Sequence, residues 1–279
     1  MRKTLKKMIA CSLATTMILC SSVGNSVSRA ATNNPCGTYR VYTNVDMAVH
    51  YALAVRGESY KDLKDEFGLP DGHWCAGFVS KLYDDEDANH AYVSKIERDA
   101  ERDNLLKKKE SKPAVGDLVL YEETVPGGPE DGSDHVGIVV GVNGDKIQTV
   151  EGNYFYVDGN ISKELYRQKS NSHDPKKRIV GLVPYNNVRY SMISGYVSPV
   201  IKKEVNYLVG DLNGDNKINI SDVIIMKSVM NEMMFEPRFK TTWGNYDLKE
   251  CYTRADIDND GYVKQDDLTL LMRYMVNKK

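Results

Sequence analysis

Cysteine is scarce in this chain, five among 279 residues, and no two stand at the paired spacing that metal sites use. His-Glu-x-x-His is missing too, which argues against a zinc hydrolase. There is no surplus of basic charge. The net charge of -2 at pH 7 argues against a nucleic-acid partner, which would demand a basic face. After the first twenty residues no apolar stretch approaches twenty residues, so no membrane span is expected in the processed chain. Low-complexity tracts are absent. What remains is an ordinary globular composition, long enough for two domains.

The N-terminus carries its own signal. Arg2, Lys3, Lys6 and Lys7 precede an apolar run from Met8 to Cys20, and small residues follow up to Ala30-Ala31. This pattern predicts a secretory signal peptide over residues 1–30, cut after Ala30 or Ala31. Cys20 follows Leu19 rather than a small residue, which argues against a lipoprotein anchor. A secreted protein is therefore expected. Processing would leave Cys36, Cys75 and Cys251, an odd count that implies at least one free thiol and leaves a Cys36–Cys251 pair open.

Apolar spacing predicts a helix over residues 44–58 and a second over 74–83. The charged stretch from Asp84 to Glu110, with its Asp84–Asp87 run, reads as a solvated helix or helix pair. From Lys112 the period changes. Leu118–Tyr121, His135–Val142, Lys146–Glu151 and Arg178–Val183 read as strands, with turns at Gly127-Gly128, Asn143-Gly144 and Asp158-Gly159. Helices first and a meandering sheet second predict an α+β domain over residues 31–189. Residues 190–206 show no period and read as a linker. A second domain is expected over 207–279.

That C-terminal segment writes one loop twice. The first copy runs from Asp211 to Asp222 and the second from Asp256 to Asp267, 45 residues further on. Asp211, Asn213, Asp215 and Asp222 place oxygens at positions 1, 3, 5 and 12, and Lys217 offers a backbone carbonyl at position 7. Asp256, Asp258, Asp260, Asp267 and Tyr262 repeat the set. Ca²⁺ needs such a cage of oxygens, at about 2.3–2.6 Å. Position 6 must turn sharply, which Gly261 or an αL-tolerant Asn216 permits. Two calcium ions are expected. Each loop opens into an amphipathic segment (Val223–Met230 and Leu268–Val276), and no entering helix is evident, unlike an EF-hand pair.

Cys75 follows Trp74 at the start of a predicted helix, where backbone N–H groups favour a thiolate. A nearby imidazole would complete an activated nucleophile. Among the histidines, His50 lies on the first helix, His90 in a charged run, His173 in a turn-like stretch, and His73 too close in sequence to Cys75. His135 opens an apolar strand that can hold its ring rigidly. Glu151 or Asn153, at the end of the next strand, could orient that ring.

These residues carry a resemblance. Trp74-Cys75-Ala76-Gly77-Phe78-Val79, Gly116-Asp117-Leu118-Val119, Asp134-His135-Val136-Gly137-Ile138-Val139 and Glu151-Gly152-Asn153 resemble the CHAP family of cysteine- and histidine-dependent amidohydrolases and peptidases, over roughly residues 40–187. The resemblance implies a papain-like fold, with helices packed on a small antiparallel sheet. It implies Cys75 as nucleophile, His135 as general base and acid, Glu151 as orienter, and Asn153 as a further polar position of the site. Peptidoglycan is the substrate class such relatives cut. A catalytically silent wall-binding module and a cysteine peptidase with another substrate are the competing readings.

The doubled loops resemble a type I dockerin, a small all-α module that binds calcium and docks onto a cohesin of a scaffolding protein, as in cellulosomes. That resemblance implies partner contacts at loop positions 10 and 11, Ile220-Ser221 and Gln265-Asp266. It extends to Lys227-Ser228 and Met272-Arg273 on the helices. The pairs differ between copies, which favours one docking pose over two equivalent ones.

Overall fold

The computed structural model describes residues 36–83, 92–123, 133–155, 174, 177–185, 191–201, 204–235, 242–243 and 246–278. The expected signal peptide, the Asp84–Asp87 run, His90, His173 and the expected turns at Gly127-Gly128 and Asp158-Gly159 lie outside them.

The chain enters through strand β1 (Tyr39–Thr43) and turns into helix α1 (Asn44–Ala54). Thr43 caps that helix: its Oγ1 accepts the Asp46 N–H at 3.1 Å, while the Asp46 carboxylate accepts the Thr43 N–H at 2.8 Å. Two orphan donors are thereby satisfied reciprocally. Helix α2 (Tyr60–Phe67), helix α3 (Cys75–Leu82) and helix α4 (Val93–Arg102) follow. The expected helix over 44–58 therefore stops at Ala54. The charged stretch yields α4 and a short strand, β2 (Leu106–Lys108).

Strands β3 (Leu118–Tyr121), β4 (His135–Asn143), β5 (Lys146–Tyr154) and β6 (Ile179–Val183) form the expected meander. The stretch 190–206 is not the linker that its mixed composition suggested. It supplies β7 (Ile193–Val197), which inserts between β2 and β3, and β8 (Glu204–Leu208), which pairs with β1. Tyr196 and Val197 are buried there, and burial of apolar surface outweighs the weak pattern of Ser and Gly around them. The resulting antiparallel sheet has the order β2-β7-β3-β4-β5-β6.

The sheet is apolar on both faces. Leu118, Leu120, Val136, Ile138 and Val150 share the main core with α3, and Val119, Tyr121, Val139, Ile147 and Tyr196 form a smaller cluster. The period-2 alternation of the strands sorts these two sets to opposite faces.

Beyond β8 come helix α5 (Ile220–Phe235), the strand pair β9 (Thr242–Trp243) and β10 (Tyr246–Asp247), helix α6 (Leu248–Ala255) and helix α7 (Gln265–Asn277). Helix α6 runs directly into the second Asp loop, so that loop does have an entering helix. Its brevity and its charged residues Lys249, Glu250 and Arg254 hid the amphipathic period. Pro237, Gly244 and Asn245, between α5 and α6, lie outside the described residues. The fold is mixed helix and sheet, with a small antiparallel sheet in the first module.

Candidate active site and calcium loops

Cys75 is the first residue of α3 and is buried. Helix α3 packs across β4 and β5, the strands that begin with His135 and carry Glu151 and Asn153. Two glycines make this approach possible. A Cβ on Gly152 would fall 2.5 Å from Phe78 Cβ and 2.9 Å from Trp74 Cζ3, so the first turn of α3 rests directly on β5. A Cβ on Gly137 would fall 2.5 Å from Glu151 Cγ. That missing side chain is the space through which Glu151 lies across β4.

The Nε2 of His135 stands 3.0 Å from Glu151 Oε2, with the imidazole and the carboxylate both buried. The other carboxylate oxygen, Oε1, accepts the Tyr121 hydroxyl at 2.8 Å and the Thr149 hydroxyl at 2.7 Å. Three donors thus converge on one buried carboxylate, offsetting the desolvation that burial imposes. The sheet places them. Tyr121 pairs with His135 in the β3–β4 register, and Thr149 lies two residues before Glu151 on the same face.

Asn153 sits where the β5–β6 register shifts, with φ 57, a left-handed conformation that asparagine tolerates. Its Nδ2 lies 3.4 Å from His73 Nδ1. Its Oδ1 is buried with no hydrogen-bond partner among the described residues, a cost of about 1–3 kcal/mol that folding alone does not require.

The two Asp loops repeat each other bond for bond. Asp215 N–H and Asp260 N–H donate to Oδ1 of Asp211 and Asp256 at 3.1 and 3.0 Å. Asn216 and Gly261 N–H donate to Oδ2 of the same residues at 2.9 and 2.8 Å. At position 12, Oδ1 of Asp222 and Asp267 accepts the Leu212 and Ile257 N–H at 2.9 and 2.7 Å. Asn216 and Gly261 have φ 62 and 85, the left-handed turn expected at position 6, and Gly214 and Asn259 repeat it at position 4. Carboxylate oxygens of Asp256, Asp258 and Asp260 lie within 4.8 Å of one another. Burial pushes the Asp267 carboxyl up to about 7, against the backbone donors that hold it. Burial raises Asp222 as well, and Asp258 rises through burial and then through the charge of Asp260. A cluster of this kind favours a cation at its centre, and the donor set, all oxygen, fits Ca²⁺.

The family models agree with this division. One described as CHAP domain matches residues 66–153, and one described as Dockerin type I domain matches residues 209–276. The chain carries a CHAP domain followed by a type I dockerin domain. No curated protein and no solved structure matches the chain. CHAP domains are typically amidase or peptidase hydrolases, and the class suggests a peptidoglycan-type substrate. Type I dockerin domains typically bind calcium and imply a cohesin partner. Among the described residues, no helix is long and apolar enough to cross a membrane.

The CHAP match includes Cys75, His135, Glu151 and Asn153, whereas β1, α1, β6 and β7 of the same module fall outside it. Sequence reasoning missed Tyr121 and Thr149, although strand register and period-2 spacing point to both. It also set His73 aside, and the structure brings His73 beside Asn153. The three cysteines among the described residues, Cys36, Cys75 and Cys251, are buried and form no disulfide. Cys251 donates its S–H to the Leu212 carbonyl at 3.4 Å, so the open Cys36–Cys251 pairing is not formed. Burial pushes the Cys36 thiol up to about 12, which makes it unreactive. In the dockerin, Ile220, Ser221, Lys227, Gln265, Asp266, Met272 and Arg273 are exposed and Ser228 is half-buried.

Proposed function

We propose that the protein is a secreted cysteine hydrolase that cleaves amide bonds of peptidoglycan and is anchored to an extracellular scaffold through calcium-dependent docking of its dockerin onto a cohesin. The observation that carries the catalytic reading is the buried His135–Glu151 pair, 3.0 Å apart, on the strands over which the Cys75 helix packs.

In this reading Glu151 fixes the imidazole through Nε2, which leaves Nδ1 to exchange a proton with the thiol. The Cys75 thiolate attacks the amide carbonyl carbon. The tetrahedral intermediate collapses as the C–N bond breaks, and His135 gives its proton to the leaving amine. Water, deprotonated by the same imidazole, then cleaves the thioester and restores the thiol. The backbone N–H of Cys75 at the helix start supplies one oxyanion donor. Asn153 lines the site on the side of His73.

Asp211, Asn213, Asp215, the Lys217 carbonyl and Asp222 would hold one calcium, and Asp256, Asp258, Asp260, the Tyr262 carbonyl and Asp267 a second. Bound calcium supplies folding free energy to these loops and neutralises their carboxylates. Cohesin would meet Ile220, Ser221, Lys227 and Ser228, or Gln265, Asp266, Met272 and Arg273.

The deciding experiment compares the wild-type protein with Cys75→Ala on purified sacculi, reading new amine termini. Release by the wild type and none by a folded Cys75→Ala protein is the expected result. A fully active Cys75→Ala protein would sink the mechanism, and release from a protein substrate but not from sacculi would sink the substrate class. For the address, cohesin capture should vanish in chelator. Undiminished capture would remove calcium from the docking reading.

A further inference from the structure

The seam between the two modules consists of specific contacts that begin at the metal loop itself. Arg40 on β1 donates to the carbonyls of Asp256 and Ile257, at 3.3 and 2.7 Å, which are positions 1 and 2 of the second loop. His50 Nδ1 on α1 lies 3.2 Å from Asp256 Oδ2. At position 6, a Cβ on Gly261 would come 2.9 Å from Leu53 Cδ1. At position 7, the Arg56 guanidinium stacks 4.2 Å from the Tyr262 ring centroid. Four of the twelve loop positions therefore touch the first module, and three of them (1, 6 and 7) are positions that shape the cation cage.

Helix α6, which leads into that loop, makes a second set of contacts. It packs along α1, with the Tyr51 and Tyr252 rings 6.1 Å apart. Its buried Lys249 donates to the carbonyls of Lys81 and Leu82, at 2.9 and 3.0 Å. Those carbonyls end α3, the helix that begins with Cys75. A cation there satisfies orphan acceptors and complements the helix dipole. Ala52, Leu63, Trp74 and Phe78 of the first module share one continuous apolar core with Val209, Met226, Ile257 and Leu271 of the second. Strand β8 pairs with β1 over five residue pairs, so the chain passes from one module to the other inside a ladder.

We infer that the dockerin is a structural part of the hydrolase, and that a cation in its second loop stabilises the catalytic helix α3 through α1 and α6. The inference rests on the reading that this loop holds calcium. Its physical basis is that one set of backbone and side-chain positions must satisfy both the cation and the seam, so ordering either one orders the other. By linkage the coupling works in both directions.

The sequence offers a clean reporter, since its two tryptophans are Trp74 and Trp243. In full-length Trp243→Phe protein, fluorescence follows Trp74 alone, fully buried beside Cys75. Moving from millimolar calcium to EGTA is expected to lower the Trp74 unfolding midpoint by about 5 °C or more. Asp258→Ala, in the second loop, should lower it in calcium as well. Lys249→Met should lower the midpoint and, by reciprocity, weaken calcium binding measured by titration calorimetry. In the unmutated protein, chelation should speed amide exchange across residues 44–54. A Trp74 midpoint unmoved by EGTA, while calorimetry shows calcium binding, would overturn the inference and leave the calcium reading intact. Absence of calcium binding would overturn both.

Discussion

Oε2 of Glu151 lies 3.0 Å from Nε2 of His135, and both side chains are buried. The pair commits Nε2 of the ring to the carboxylate. An orienting carboxylate acts through geometry and charge, and the two can be separated by substitution.

Glu151→Gln keeps the shape and removes the charge that would stabilise an imidazolium. It is expected to lower kcat on sacculi by about 100-fold or more with little change in KM, as loss of an orienting carboxylate does elsewhere. Activity within threefold of the wild type would show that Glu151 is structural.

Tyr121→Phe and Thr149→Val each remove one of the two hydroxyls on Glu151 Oε1. Each should destabilise the protein by about 1–3 kcal/mol, the range for a buried acceptor that loses a donor. If the hydroxyls also position Glu151, the pH profile of kcat/KM should shift in Tyr121→Phe, and a merely structural role would leave that profile in place. The double variant should lose less than the sum of the singles, since both hydroxyls bond the same oxygen.

Gly152→Ala places a methyl against Phe78 and Trp74, at the point where α3 meets β5. Overpacking of this kind costs about 1–3 kcal/mol. Because the clash lies one turn from Cys75, activity should fall further than stability does, by about tenfold or more at a temperature where the variant is folded. A Gly152→Ala protein with wild-type kcat would show that the α3–β5 spacing is not critical.

Glu58 provides a pH handle within the first module. Burial, and then the charge of Asp62, pushes its carboxyl from an ordinary 4.5 to about 7. One of its oxygens has no hydrogen-bond partner among the described residues. The folded state therefore holds this proton more tightly than the unfolded state, and stability from this group declines as pH rises from about 4.5 to 7, then levels. Glu58→Gln should raise the melting temperature by a few degrees at pH 8 and change it little at pH 4.5. An equal shift at both values would locate the effect in packing instead of ionisation.

Much of this protein was legible before folding. Strands β3 to β6 follow from short apolar runs bounded by turn residues, because a sheet buried on both faces needs apolar residues in succession. The doubled Asp loops follow from oxygen-bearing residues at fixed positions, because each loop closes its hydrogen bonds within one short segment. The placement of Cys75 at a helix start and of His135 at a strand start was legible too. Less legible were β1, β2, β7 and β8, whose short mixed sequences become strands only because a neighbouring edge pairs with them. Lys249 gave no signal either, since a lysine in an eight-residue charged helix looks solvated until the end of α3 is seen beneath it.

The sequence by itself determined the two modules, the order of their chemistry and the duplication of the metal loop, all of which depend on contacts within short stretches of chain. Only the tertiary structure decided that the second loop and helix α3 share a seam. That relationship depends on Arg40 meeting Ile257, and Lys249 meeting Leu82, across well over a hundred residues. Pairings so distant arise from packing and backbone hydrogen bonding, and they leave no period or spacing to read in the chain.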